Sequence, residues 1–169
     1  MRHLTAIAAL CGALTFSAPA IAGGIAVVDF QEAINQVSEG ETARAQIDAL
    51  YQQKQAAIAN LEAQIQTKMD EYEKQRLILS DAARAAKEQE LMQLQQTYQQ
   101  AGMQAESEMQ ELYTQKMEAL ITKMRGISEQ IGSERSYDLI LEKTESGVVF
   151  TGVAVTDITG ELIKRYDGN

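Results

Sequence analysis

Apolar residues recur at heptad spacing through one long stretch of the chain, residues 41–132. Tyr51, Ile58, Ile65, Tyr72 and Leu79 sit seven apart, Ile47 and Leu61 lie in the companion seam, and Lys54, Lys68 and Gln75 fill its other positions. A stripe this narrow belongs to a coiled-coil contact, not to the broad apolar face of a globular helix. A second run follows in Leu91, Leu94, Tyr98, Ala101 and Ala105, then Tyr113, Met117, Leu120, Met124, Ile127 and Ile131. Between Ala105 and Tyr113 the steps are four and four, through Met109. That shifts the phase of the stripe and locally unwinds a supercoil. The stretch has no proline and is rich in Ala, Gln, Glu, Lys, Leu and Met, all good helix formers. Two antiparallel helices are predicted, with a turn at Leu79–Asp81 where Ser80 and Asp81 can cap the second helix. From Glu41 to Leu79 the first helix spans about 58 Å at about 1.5 Å per residue. A two-helix arm that long encloses no core of its own, so it must project from another body.

Outside the arm the period changes. Ile25-Ala26-Val27-Val28 reads as a buried strand, and Asp29 can cap a short helix over Phe30–Val37. Ser38-Glu39-Gly40 breaks that helix, with Gly40 suited to a left-handed cap. After Gly132, Tyr137–Glu142 reads as a strand and Glu145-Ser146-Gly147 as a turn. Val148–Phe150 begins a second strand, and Gly152 interrupts before Val153–Val155. Asp157 then caps a last helix whose apolar face is Ile158, Leu162, Ile163 and Tyr166. The fold class is α+β and mostly α: a long antiparallel coiled-coil hairpin on a small β-rich head. The head is discontinuous, residues 23–40 plus 133–169, which is 55 residues. A body that small buries only about 60% of its unfolded surface and is marginal alone. Assembly through the head is the expected remedy, with Ile25, Val27, Leu139, Leu141 and Val149 as the candidate contact residues.

The first 22 residues read as a signal peptide: Arg2 and His3 at the start, an apolar run over Leu4–Phe16, and Ala20-Ile21-Ala22 as a small-x-small cleavage site. Cleavage near Ala22 leaves 147 residues with no Cys, His, Trp or Pro and a net charge of −10. Export without an anchor or disulfides points to a soluble periplasmic protein. Lacking Cys and His, the mature chain offers no Cys nucleophile and no Ser–His pair, and no Gly-x4-Gly-Lys-Ser/Thr loop binds nucleotide. The expectation is no enzyme, no metal and no cofactor. Acidity also argues against nucleic acid.

All six methionines of the mature chain lie in the hairpin. Met117 and Met124 fit the seam. Met69, Met92, Met103 and Met109 are the candidates for contacting partners, because polarisable, flexible thioethers suit a surface that accepts varied apolar segments. Gly102, mid-helix and near the phase shift, is the candidate hinge. At the tip, Lys68, Lys74, Arg76, Arg84 and Lys87 interleave with acids, which reads as a solvated, salt-bridged surface.

The order of these parts resembles the Skp/OmpH family of periplasmic outer-membrane-protein chaperones. The resemblance rests on the signal peptide, Ile25–Phe30 running into a short helix, the Gln- and Ala-rich hairpin, the strand Tyr137–Glu142, and Asp157-Ile158-Thr159 followed by Leu162, Ile163 and Tyr166. It implies a homotrimer whose heads form a β-barrel body and whose arms enclose a cavity. That cavity holds unfolded outer-membrane β-barrel proteins without ATP, and the family has no catalytic residues. Several members are strongly basic after processing and use that charge against anionic lipid. At −10 this chain departs from them, which counts against membrane or lipopolysaccharide contact. A structural coiled-coil spacer or tether of the cell envelope shares every local feature, and client binding separates the two.

Overall fold

A computed structural model describes residues 23–168; the expected signal peptide, residues 1–22, lies outside the described residues. Strand β1 (Gly24–Val28) leads through Asp29 into helix α1 (Phe30–Gln36). Asp29 caps this helix, its Oδ1 accepting the Glu32 N–H at 2.8 Å. Val37 is extended, and helix α2 (Ser38–Gln75) begins at once. The break therefore falls at Val37, just before the expected Ser38–Gly40, and Gly40 lies inside α2 instead of in a left-handed cap. Its glycine character serves close approach: a Cβ there would sit 1.9 Å from the Ile34 carbonyl oxygen. The sharp corner between α1 and α2 needs that space.

The turn of the hairpin comes earlier than expected. α2 ends at Gln75, residues 76–80 make the turn, and helix α3 (Asp81–Arg135) starts at Asp81. Ser80 caps it, with Oγ accepting the Ala83 N–H at 3.3 Å. Leu77 and Ile78 are left exposed at the tip. At its other end α3 runs three residues past Gly132, and Ser136 closes it in the left-handed region at φ 55°.

Ile47, Leu50, Lys54, Ile58, Leu61, Ile65, Lys68, Tyr72 and Gln75 are the half-buried positions of α2 that form its seam. Tyr51 is not among them; it is 54% exposed. Leu50–Lys54–Ile58 takes two steps of four, so the seam passes through Leu50. On α3, Tyr113 is 52% exposed and Leu112 takes the seam. The polar seam positions are cross-linked between the helices. Lys54 Nζ meets Glu108 Oε2 at 2.5 Å, Lys68 Nζ meets Glu90 Oε1 at 2.7 Å, and the Tyr72 hydroxyl donates to Glu88. Such layers fix register at some cost in stability. Replacing Lys54 with Met together with Glu108 with Leu should therefore raise the thermal midpoint of the arm by a few degrees, read by circular dichroism, and either replacement alone should lower it.

The head contains a parallel three-stranded sheet in the order β2-β1-β3, with β2 at Tyr137–Glu142 and β3 at Thr156–Asp157. The whole arm is the crossover between β1 and β2, since parallel neighbours cannot be joined by a tight turn. Helix α4 (Thr159–Tyr166) closes the chain. Its start is held by Asp157 Oδ1, which accepts the Thr159 N–H at 2.9 Å, while Thr159 Oγ1 accepts the Asp29 N–H at 2.9 Å. The core joins Ala26 and Val28 of β1 to Phe30, Ala33, Ile34 and Val37, to Leu120, Met124 and Ile131 of α3, and to Ile158, Leu162 and Tyr166. Val148–Phe150 and Val153–Val155 form no strands, contrary to their composition, and β3 is only two residues long. The outer edge of β2 is left unpaired among the described residues.

Candidate functional site

Side chains alternate across a strand. Ala26 and Val28 point into the helical core, so Ile25 and Val27 point the other way. On β2, Ile140 packs against the core, which turns Leu139 and Leu141 outward. The register pairs Ile25 with Leu139 and Val27 with Leu141. Four of the five expected head residues thus lie in two adjacent pairs on one sheet face, where Ile25 and Leu139 are 43% and 46% exposed. The fifth, Val149, is not on the sheet. It lies with Phe150 and Val153 in the segment after β2, all three almost fully exposed.

The arm carries a second exposed apolar set: Tyr51 and Met69 on α2, Met92, Met103 and Tyr113 on α3. Tyr51, Met69, Met92 and Tyr113 each follow a seam residue by one step, after Leu50, Lys68, Leu91 and Leu112; Met103 follows the half-buried Gly102. One step turns a helix by about 100°. Because the helices run antiparallel, the position one step past the seam falls on the same side of the hairpin in both. A groove confirms the sidedness: Ile65, Met69, Tyr72 and Glu73 face Leu91 and Gln95 around about 260 Å³. The Lys68–Glu90 pair sets Met69 and Met92 at one height. The Lys54–Glu108 pair sets Tyr51 and Tyr113 at another, about 27 Å nearer the head by helical rise. One step before the seam lies the opposite face, with Gln53, Asn60, Gln64, Thr67, Gln93, Thr97 and Gln104. Of the four methionines singled out, Met69, Met92 and Met103 gather on one face, and Met109 is half-buried beside the seam. The two tyrosines are the residues that the heptad count misplaced.

The root of the arm is tied to the head at one carboxylate. Glu39 Oε2, in the first turn of α2, accepts from the Tyr166 hydroxyl at 2.8 Å and from Lys123 Nζ at 3.1 Å. Lys123 also sits 3.7 Å from the centroid of the Tyr166 ring. The hydrogen bond from Tyr166, and then that from Lys123, holds the Glu39 carboxyl below its ordinary value. Burial and Glu39 push the Tyr166 phenol up, so it stays a donor. A depressed carboxylate contributes stability above its ordinary value and loses it as pH falls through the folded value. Thermal midpoints of wild type and Glu39→Gln should therefore differ at neutral pH and converge only below pH 4.5.

Among the described residues no helix is long and apolar enough to cross a membrane, and no cluster of His, Cys, Asp or Glu fits a metal ion. Comparison with known proteins adds three findings. The family model described as outer membrane protein (OmpH-like) matches residues 24–166. The chaperone protein Skp of Yersinia enterocolitica is 21% identical over 165 residues, covering 98% of this chain and 99% of the relative. A crystal structure of an OmpH-like candidate outer membrane chaperone from Caulobacter crescentus superposes with a TM-score of 0.76 at 14% identity, covering 86% of this chain and 84% of the other. At that identity the shared property is the fold.

Proposed function

The chain belongs to the OmpH-like family, and on that premise we propose that it is an ATP-independent holdase of the periplasm. It binds unfolded outer-membrane β-barrel proteins between the arms of a homotrimer and keeps them from aggregating. The observation that carries this reading is the one-sided apolar face of the arm. Thioethers and phenol rings standing on a Gln-rich helix surface make shallow contacts that adapt to many sequences. Many weak contacts hold a client and let it go to a tighter partner without an energy source. The outward sheet face of the head supplies the surface through which three copies assemble, and no step in this function is a reaction.

The test is light scattering of a denatured outer-membrane β-barrel diluted into buffer with the mature protein and no nucleotide. Suppressed scattering supports the holdase; unchanged scattering, or suppression that needs ATP, removes it and favours a passive spacer.

Gly102 is the proposed hinge of the arm. A Cβ at this position would meet nothing within 4 Å, so Gly102→Ala fits without strain. It should stabilise the arm by about 0.5–1 kcal/mol. Stiffening should weaken capture of a large barrel more than of a small one, measured as client affinities of wild type and variant. Equal changes for both sizes leave Gly102 with a local role only.

A further inference from the structure

The positions one step past the seam carry charge as well as apolar groups. Asp48, Glu62, Glu73, Glu88 and Glu106 follow Ile47, Leu61, Tyr72, Lys87 and Ala105, and so share the face of Tyr51, Met69, Met92, Met103 and Tyr113. Residues 45–73 and 88–115, the middle of both helices, hold ten carboxylates and only two cationic side chains, Lys54 and Lys68. Both lysines are spent on the cross-links to Glu108 and Glu90. Glu73 is paired with Arg76, and Glu88 accepts from Tyr72. Asp48, Glu62 and Glu106 have no ion pair among the described residues. The apolar islands therefore stand in a net negative field, with Arg44, Lys74, Lys87 and Lys116 just outside the two stretches.

We infer that this face selects unfolded segments in which apolar residues alternate with lysine or arginine, and disfavours acidic ones. An extended client segment laid along the arm places every second side chain on the thioethers and rings. The residues between them point away from the arm and feel the carboxylates only through their field. Basic residues there gain long-range attraction and faster encounter; acidic residues are repelled. The inference rests on the holdase reading and gives it a client chemistry.

The experiment is competition. A fluorescent, denatured outer-membrane barrel is held by the mature protein, and two synthetic peptides compete for it. Both alternate Val and Tyr with a charged residue, Lys in one and Glu in the other. The Lys peptide should displace the barrel at a concentration at least about tenfold lower in dilute buffer, and the gap should close to about twofold near 0.5 M salt, where the screening length is only a few ångström. A variant with Asp48→Asn, Glu62→Gln and Glu106→Gln touches only exposed side chains. It should capture the barrel yet lose the preference to within about twofold. Equal displacement by both peptides, or a preference for the Glu peptide, overturns the inference while leaving capture intact. Failure of the wild type to hold the barrel at all overturns the holdase reading, and the inference with it.

Discussion

Leu139→Asp is expected to turn the assembled protein into folded monomers at low micromolar concentration. Leu139 lies outside the core cluster, on the sheet face it shares with Ile25, and is 46% exposed in the single chain. A carboxylate there stays solvated in a monomer and costs the subunit little. In an assembly built on that face it becomes a buried charge, at several kcal/mol for each copy. Val27→Asp is the contrasting variant. Val27 is buried in the central strand, paired with both Leu141 and Asp157, so a charge there should unfold the strands themselves. Sedimentation with circular dichroism separates the two outcomes. An assembled Leu139→Asp protein would move the interface off the sheet face and onto the exposed segment that holds Val149, Phe150 and Val153.

Changing Tyr51, Met69, Met92, Met103 and Tyr113 together to Gln should remove most holdase activity. Glutamine is a good helix former, so the arm keeps its helices and its seam. All five are exposed and outside the core, so the head and its assembly should be untouched. Each Met or Tyr that a client covers loses roughly 50 Å² of apolar surface to water exclusion, worth on the order of 1 kcal/mol. Losing five such contacts should weaken client affinity by at least about a hundredfold, even with imperfect additivity. Replacing the opposite-face residues Asn60, Thr97 and Gln104 with Ala should change affinity by less than about twofold. Fluorescence titration with an unfolded barrel checks both.

Most of the architecture was legible because it rests on local pattern. The heptad run gave two helices, Asp29 and Ser80 acted as caps, and the apolar runs at Ile25–Val28 and Tyr137–Glu142 became paired strands. What was misplaced depended on non-local facts. Tyr51 stands seven before Ile58 and fits a strict heptad, yet the seam steps by four through Leu50, Lys54 and Ile58, and on α3 Leu112 takes the place of Tyr113. A local change of step from seven to four and four shows only once the two helices are paired. The turn fell early because Leu77 and Ile78 look helical and are not. Val148–Phe150 has strand composition, yet it does not pair with the free edge of β2. Gly40 read as a helix stop, and only the fold shows it as the space a tight corner requires. The candidate face is half visible in the sequence: the methionines cluster in the hairpin, while their alignment with two tyrosines depends on the true seam.

Site-specific photo-crosslinking from the arm to an unfolded outer-membrane barrel tests the one-sided face most directly. A photoreactive residue placed at 69, 92 or 103 should label the client strongly. The same residue at 60, 97 or 104, one step before the seam, should label it weakly. Equal labelling from both faces, or stronger labelling from 60, 97 and 104, would contradict the assignment of the Met and Tyr face as the surface that holds the client.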